Sequence, residues 1–115
     1  MSPITTHVLD IAAGRPAQGL SVSIEVAKDS EHWLLLAQGV TDASGRIAEF
    51  NPPLQPLTAG TYRLRFDTGA YFAAAGVRGF YPEVVVIVQI DDPAQHDHIP
   101  LLLSPYGYTT YRGSR

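Results

Sequence analysis

The amino-acid sequence contains no cysteine among its 115 residues. This absence excludes disulfide bonds, thiolate metal sites and a cysteine nucleophile. Lysine is almost absent as well, because Lys28 is the single lysine among eight basic residues, in a chain whose formal net charge is -3. Since the sequence has neither a basic block nor a basic helix, we expect no nucleic-acid partner.

Long apolar runs are also missing. The run "VVVIV" at residues 84–88 is far shorter than the roughly 20 residues that a membrane-spanning helix needs. The first residues, "MSPITTHVLDIAAG", lack the basic and apolar regions of an export signal. The sequence therefore predicts a cytoplasmic protein without a membrane partner.

Several catalytic and cofactor motifs are absent. The sequence has no G-x-S-x-G nucleophile elbow, no glycine loop that could bind phosphate and no dinucleotide fingerprint. Serine-hydrolase chemistry of that type is thus unsupported, and no cofactor is predicted. What the chain does contain is 45% hydrophobic and 17% charged residues at a length near the commonest domain size, which predicts one domain over residues 1–115.

Alternating apolar residues are the main structural signal. They occur in "LSVSIEVAK" at residues 20–28 and in "TYRLRFD" at residues 61–67, and they predict half-buried antiparallel strands. The continuous apolar runs "HWLLLAQGV" and "EVVVIVQID" have strand length, and we expect both of their faces to be covered by a second protein layer or by a subunit interface.

Turn residues separate these segments. "TDASGR" at residues 41–46 predicts a hairpin turn between a strand that ends near Val40 and a strand that starts at Arg46. "NPPLQPLTAG" predicts a loop, "DDPAQ" predicts a turn, and "GAYFAAAG" predicts a helix of about two turns. Short strands with regular turns predict an all-β fold, a β-sandwich of about seven or eight strands with one short helix.

Histidines are the first candidates for chemistry. If "ITTHVLD" is a strand, His7 points away from the face that carries Ile4 and Val8, and His98 in "HDHIPLLL" lies opposite Ile99. Either side chain could be an ordinary surface histidine, and Arg46 after its turn could be a solvated arginine. His96 and His98 share one side of their strand as two metal ligands would, but no third ligand completes a site, so no metal is predicted.

Three stretches of the chain together resemble the transthyretin-like family. They are "ITTHVLDIAAGRPAQGLSV", "TDASGR" and "HDHIPLLLSPYGYTTYRGS", and "RLRFDTGAYF" and "FYPEVVV" match the middle of the family. The closing Tyr-Arg-Gly-Ser and the histidines are similar to the enzyme branch, the 5-hydroxyisourate hydrolases, and not to the hormone carriers. The resemblance implies a sandwich of two four-stranded sheets with one short helix, assembled as a homotetramer with active sites between subunits.

The resemblance also implies the site residues and their small-molecule substrate, 5-hydroxyisourate. His7, Arg46 and His98 would be catalytic, with one histidine activating water and the arginine stabilising negative charge. His7 and Arg46 would also bind substrate, together with the tail residues Tyr111, Arg112, Gly113 and Ser114. Which histidine acts as the base stays open.

Two other functions remain possible from the sequence. One is a transthyretin-like carrier of a small aromatic ligand, and the other is a metal-dependent hydrolase that uses His96 and His98. Arg115 extends the chain beyond the serine at which family members often end, which puts in doubt a role for a terminal carboxylate at Ser114.

Overall fold

The computed structural model describes residues 2–114, so the prediction about Arg115 lies outside the described residues. Two four-stranded sheets pack face to face, in the strand orders β2-β1-β7-β8 and β4-β3-β5-β6. The strands are β1 (Ile4–Asp10), β2 (Arg15–Pro16), β3 (Ser21–Ala27), β4 (Trp33–Val40), β5 (Gly60–Phe66), β6 (Val84–Ile90), β7 (Asp97–Ser104) and β8 (Gly107–Thr110), and the helix is α1 (Thr68–Ala74). The predicted all-β sandwich of two four-stranded sheets with one short helix is confirmed.

The core lies between the sheets and follows the predicted alternation. In β3 and β5 the inward side chains, Val22, Ile24, Leu64 and Phe66, are almost completely buried. Their outward neighbours are half-buried or exposed. Because successive side chains of a strand point to opposite faces, an apolar residue at every second position is enough to place each strand against the core.

The helix forms where alanines follow Asp67. Its first residue is Thr68, one position before the predicted stretch, and the Asp67 carboxylate caps it by accepting a hydrogen bond from the Ala70 N–H at 3.2 Å. Such a cap satisfies one of the amide groups that have no partner within the helix.

Within the described part of this chain, the two apolar runs are not covered on both faces, so the predicted alternative of cover by a subunit interface stays a prediction. In β4, Leu34 and Leu35 are 48% and 49% exposed, and in β6, Ile87 is 60% exposed. The β4 strand contains an irregularity, because Ile24 and Glu25 pair with Ala37 and Leu35 and the pairing skips one residue. A run of consecutive apolar residues cannot reveal such a break in alternation.

The prediction of a strand starting at Arg46 is also wrong, although the turn before it is present. The Gly45 N–H donates to the Asp42 carbonyl at 2.9 Å. The chain then crosses between the two sheets, with one isolated bridge from Arg46 to His7 and another from Asn51 to Gln38. No long ladder forms in residues 46–51, because the backbone of this segment pairs with each sheet at a single bridge.

Membrane-spanning helices are absent from residues 2–114, where no helix has the length and apolar character that crossing requires.

Candidate active site

The outer face of the first sheet brings the predicted catalytic residues together. Strands β1 and β7 are parallel neighbours, with Thr5 opposite His98 and His7 opposite Pro100. The outward positions of β1 are half-buried, and His98 near the start of β7 is also half-buried, so the imidazole rings of His7 and His98 lie on one face. This arrangement confirms the predicted orientation of both histidines.

Arg46 reaches the same face through the turn at residues 42–46. Because β2 covers only the end of β1, the turn can pair with the free edge of β1, and the Val8 N–H donates to the Gly45 carbonyl at 2.8 Å. Gly45 has φ +80°, and a Cβ atom there would collide with the Val8 carbonyl oxygen. Glycine is therefore required at position 45 for the turn to approach β1 this closely.

The Asp42 carboxylate stabilises the turn from within. It accepts hydrogen bonds from the Ser44 hydroxyl at 2.6 Å, the Ser44 N–H at 2.9 Å and the Arg46 N–H at 3.1 Å. These bonds, that from the Ser44 hydroxyl above all, hold the pKa of Asp42 below its usual value. The carboxylate therefore remains charged and keeps Arg46 at the edge of β1.

His7 has hydrogen-bonding partners at both ring nitrogens. Its Nε2 lies 2.8 Å from the Ser44 carbonyl oxygen, which can only accept, so Nε2 must carry a proton. In the neutral ring the lone pair is then at Nδ1, 3.4 Å from the Nη2 atom of Arg46. His7 is thereby held as one tautomer that orients the Arg46 guanidinium.

His98 differs because only one of its ring nitrogens is engaged. Its Nδ1 lies 2.8 Å from the Thr5 hydroxyl, whereas Nε2 makes no hydrogen bond to any residue from 2 to 114. Burial lowers the pKa of His98, and the charges of Arg46, His7 and His96 lower it further. A neutral ring with one free nitrogen can accept a proton at neutral pH.

The Arg46 side chain is exposed and forms no ion pair with a carboxylate in the described part of the chain. Its guanidinium group carries a positive charge at every physiological pH. Beside two histidines, an unpaired guanidinium can bind an anionic ligand or stabilise negative charge that develops during a reaction.

The C-terminal tail contacts this cluster at one residue. The buried Gly113 donates its N–H to the His98 carbonyl oxygen at 2.7 Å, and a Cβ atom at position 113 would lie 2.9 Å from Cδ2 of His98. The other tail residues, Tyr111, Arg112 and Ser114, are exposed, and their side chains make no hydrogen bond within residues 2–114. Tyr111 and Arg112 line a separate cavity of about 310 Å³ with β6.

Two residues beside His98 were not among the predicted catalytic residues, although His96 was considered as a metal ligand. Thr5 and His96 form a hydrogen-bonded chain with His98, since the Thr5 hydroxyl also lies 2.8 Å from Nε2 of His96. The sequence did contain a signal for both residues. Thr5 lies two positions from His7 and His96 two positions from His98, so each shares a strand face with a predicted catalytic histidine. Within residues 2–114, no group of three or more histidine, cysteine or acidic side chains is placed to hold a metal ion.

Comparison with known proteins identifies the class of protein. The model of the HIUase/Transthyretin family matches residues 4–113, and the chain belongs to this family. The 5-hydroxyisourate hydrolase of Mus musculus is 46% identical, over 98% of this chain and 96% of its own length.

Solved structures show that the fold alone does not separate the branches of the family. Klebsiella pneumoniae 5-hydroxyisourate hydrolase has a TM-score of 0.82 at 42% identity, covering 96% of this chain and 98% of its own. Sea bream transthyretin in complex with thyroxine has a higher TM-score of 0.89 at only 31% identity, covering 98% of this chain and 96% of its own. The sequence identity favours the hydrolase, although the backbone fits both.

Proposed function

We propose that this protein is a hydrolase that opens the ring of 5-hydroxyisourate in urate degradation, giving 2-oxo-4-hydroxy-4-carboxy-5-ureidoimidazoline. Near-full-length relatives with this activity in their names support the substrate. The observation that carries the proposal is the group of His7, Arg46 and His98 on one sheet face, in which Arg46 has no carboxylate partner among residues 2–114.

The reaction breaks an acyl–nitrogen bond, forms a carbon–oxygen bond to water, and transfers the proton taken from water to the leaving nitrogen. His98 is the general base, because its lowered pKa keeps it neutral and its Nε2 atom is free to take a proton from water. Arg46 stabilises the negative charge that develops on the carbonyl oxygen and binds the substrate. His7 orients Arg46 and contributes to the substrate site.

The proposed assembly is a homotetramer with active sites between subunits. The exposed apolar side chains of Leu34, Leu35 and Ile87 are consistent with burial in an interface. Tyr111 is 56% exposed and lines the cavity beside β6 in the single chain. In such an assembly, Tyr111, Arg112, Gly113 and Ser114 complete the substrate-binding site.

The decisive experiment follows the ultraviolet absorbance of freshly generated 5-hydroxyisourate with and without the protein. Since the substrate also decays without enzyme, that background rate is subtracted. We expect faster decay with the wild-type protein, and a loss of about 10²- to 10⁴-fold in kcat for His98→Ala. Decay at the background rate with the folded wild-type protein would favour a ligand carrier instead.

The tetramer is tested separately by light scattering at micromolar concentration. We expect a monodisperse species of four chains, and a monodisperse monomer would contradict the proposal that subunits share the sites.

A further inference from the structure

We infer that Thr5 and His96 are positioning residues that hold His98 in the tautomer with a proton on Nδ1 and a free lone pair on Nε2. The inference rests on the proposed function, in which His98 accepts a proton at Nε2. Neither Thr5 nor His96 is part of the predicted catalytic group, and neither contacts the reacting atoms in this scheme.

The geometry requires a definite direction for the hydrogen bonds. Thr5 Oγ1 lies 2.8 Å from Nδ1 of His98 and 2.8 Å from Nε2 of His96. A hydroxyl group has one hydrogen to donate, so at least one of the two ring nitrogens must donate to Thr5. The hydroxyl therefore couples the tautomers of His96 and His98.

Only one direction leaves His98 able to act as a base. A neutral imidazole carries one proton, so a free lone pair at Nε2 requires the proton at Nδ1, from which it is donated to Thr5. Thr5 can in turn donate its hydroxyl hydrogen to Nε2 of His96. In the opposite direction His96 donates to Thr5, Thr5 donates to His98, and Nε2 of His98 is already protonated.

The same direction of hydrogen bonding also stabilises the protonated, charged state of His98. When Nε2 takes a proton from water, the hydrogen bond from Nδ1–H to Thr5 becomes charge-assisted and stronger, and no heavy atom has to move. His96 is half-buried, lines a different cavity of about 310 Å³ beside Pro3 and Leu54, and can accept from Thr5 without entering the substrate site.

The position of Thr5 in the fold fixes its hydrogen bond to His98. Thr5 is the direct partner of His98 in the β1–β7 register, and Gly113 fixes the opposite side of the ring, where a Cβ atom would lie 2.9 Å from Cδ2. Both β strands are interior strands of their sheet, so neither can slide without breaking a ladder on each side.

The first test replaces the hydroxyl without changing the shape of the side chain. Thr5→Val keeps a β-branched residue in the strand, and we expect kcat to fall about 10- to 100-fold, a part of what a general base contributes, with little change in KM. Thr5→Ser keeps the hydroxyl and should retain most of the activity. Thr61→Val is the matched control, because Thr61 bonds Gln89 on the other sheet.

A shift in the pH dependence of kcat is a result that a general loss of structure would not produce. The titratable or charged groups that act on His98 are Arg46, His7 and His96. Loss of the Thr5 hydroxyl removes a bond that favours the charged ring, so the pKa of His98 should fall and the acidic limb of kcat should move to lower pH. An unchanged limb with unchanged kcat in Thr5→Val would overturn the inference.

His96 is tested with a pair of variants. His96→Leu removes the acceptor for the Thr5 hydroxyl, whereas the amide oxygen of His96→Gln can replace it. We expect a smaller loss of kcat in His96→Leu than in Thr5→Val, and a partial recovery in His96→Gln. Equal activities in both variants and the wild type would exclude a role for His96.

A measurement on the wild-type protein separates this inference from the proposed function. Nitrogen-15 NMR of the histidine rings reports which nitrogen is protonated, and the His98→Asn variant identifies the His98 signals. We expect Nδ1 of His98 to be protonated and Nε2 unprotonated at neutral pH. An Nε2-protonated neutral ring would overturn the inference even if Thr5→Val fails to fold, whereas absence of hydrolysis by wild-type protein would refute the proposed function alone.

Discussion

The outer faces of the two sheets use arginine in opposite ways. On the second sheet, Arg63 pairs with Glu25 at 2.7 Å and lies 4.2 Å above the Trp33 ring, and Arg65 pairs with Glu83 at 2.8 Å. Each of these guanidinium groups therefore has a carboxylate partner within the chain.

On the first sheet, Arg46 lies beside the ring of His7. Its Nη2 atom is 3.4 Å from Nδ1 of His7, and no carboxylate from residues 2–114 forms an ion pair with it. The difference suggests how an arginine available to an anionic ligand can be recognised. Such an arginine has no carboxylate partner, and hydrogen bonds from neighbouring groups orient its guanidinium. Arginines of the same sequence can stabilise the fold or bind an anion according to what the strands place next to them.

Among the arginine substitutions, the largest effect should come from removing Arg46 on the first sheet. We expect Arg46→Gln to lower kcat/KM about 10²- to 10³-fold, the loss typical of removing a group that stabilises a developing oxyanion. The decay assay measures this effect after subtraction of the spontaneous rate.

The matched control for Arg46→Gln is Arg63→Gln on the second sheet. This variant should retain kcat/KM, because Arg63 contacts Glu25 and Trp33 instead of the proposed site. Equal losses of activity in the two variants would refute the distinction between the sheets.

A smaller effect is expected where the tail meets His98. In Gly113→Ala, the new methyl group would lie 2.9 Å from Cδ2 of His98 and 3.1 Å from its carbonyl oxygen, so the ring or the tail has to shift. We expect kcat to fall about 10-fold, since small misplacements of a catalytic group reduce rates strongly.

Gly107→Ala in β8 is the control for this substitution, because its Cβ atom would meet nothing closer than Oγ of Ser104 at 3.8 Å. Thermal unfolding of both variants should differ little from that of the wild type. Full activity in Gly113→Ala would show that the tail does not position His98.

The pH dependence of activity should report the protonation of His98 on the first sheet. The proposed base, His98, can take a proton only when it is neutral, and burial together with Arg46, His7 and His96 lowers its pKa below the usual 6.5. As the pH falls, kcat/KM should therefore decline with a midpoint below 6.5. The folded state also loses stability over the same window, because the unfolded chain binds a proton at His98 more readily. A midpoint above 6.5 in the pH–kcat/KM profile would contradict this assignment.

The smallest effect should be a loss of folding stability caused by a substitution on the second sheet. The Arg63 hydrogen bond lowers the pKa of Glu25 from 4.5, with support from the charges of Arg63 and Arg65, so this pair stabilises the fold above that pH and is lost as the pH falls below it. We expect Glu25→Gln to reduce the free energy of unfolding at pH 7 by about 1–2 kcal/mol and to leave kcat unchanged. Chemical denaturation at pH 7 and pH 4 checks both statements, and the difference between variant and wild type should shrink at the lower pH.

Local patterns in the sequence were sufficient for much of the fold. Alternation placed Val22, Ile24, Leu64 and Phe66 in the core, and all four are buried. The same alternation placed His98 away from the core. These predictions succeeded because the direction of a side chain in a strand depends on parity alone.

Features that depend on distant segments could not be predicted. The strand expected at Arg46 is absent because the segment after the turn meets β1 on one sheet and β4 on the other at single bridges. The exposure of Leu35 follows from the skipped residue in the pairing of β3 with β4, which places Leu35 opposite the outward Glu25. Neither the partner strand nor its register is encoded in a short window of sequence.

The sequence by itself determined the alternating strands, the glycine-containing turn, the family resemblance and the residue types that the chemistry needs. The tertiary structure decided which partners those residues have. It placed Arg46 against His7 with no ion pair to a carboxylate of residues 2–114, and Thr5 between His96 and His98, residues more than 90 positions away along the chain. The physical reason is that protonation and charge depend on neighbours within a few ångströms, and in this sandwich those neighbours come from strands at opposite ends of the sequence.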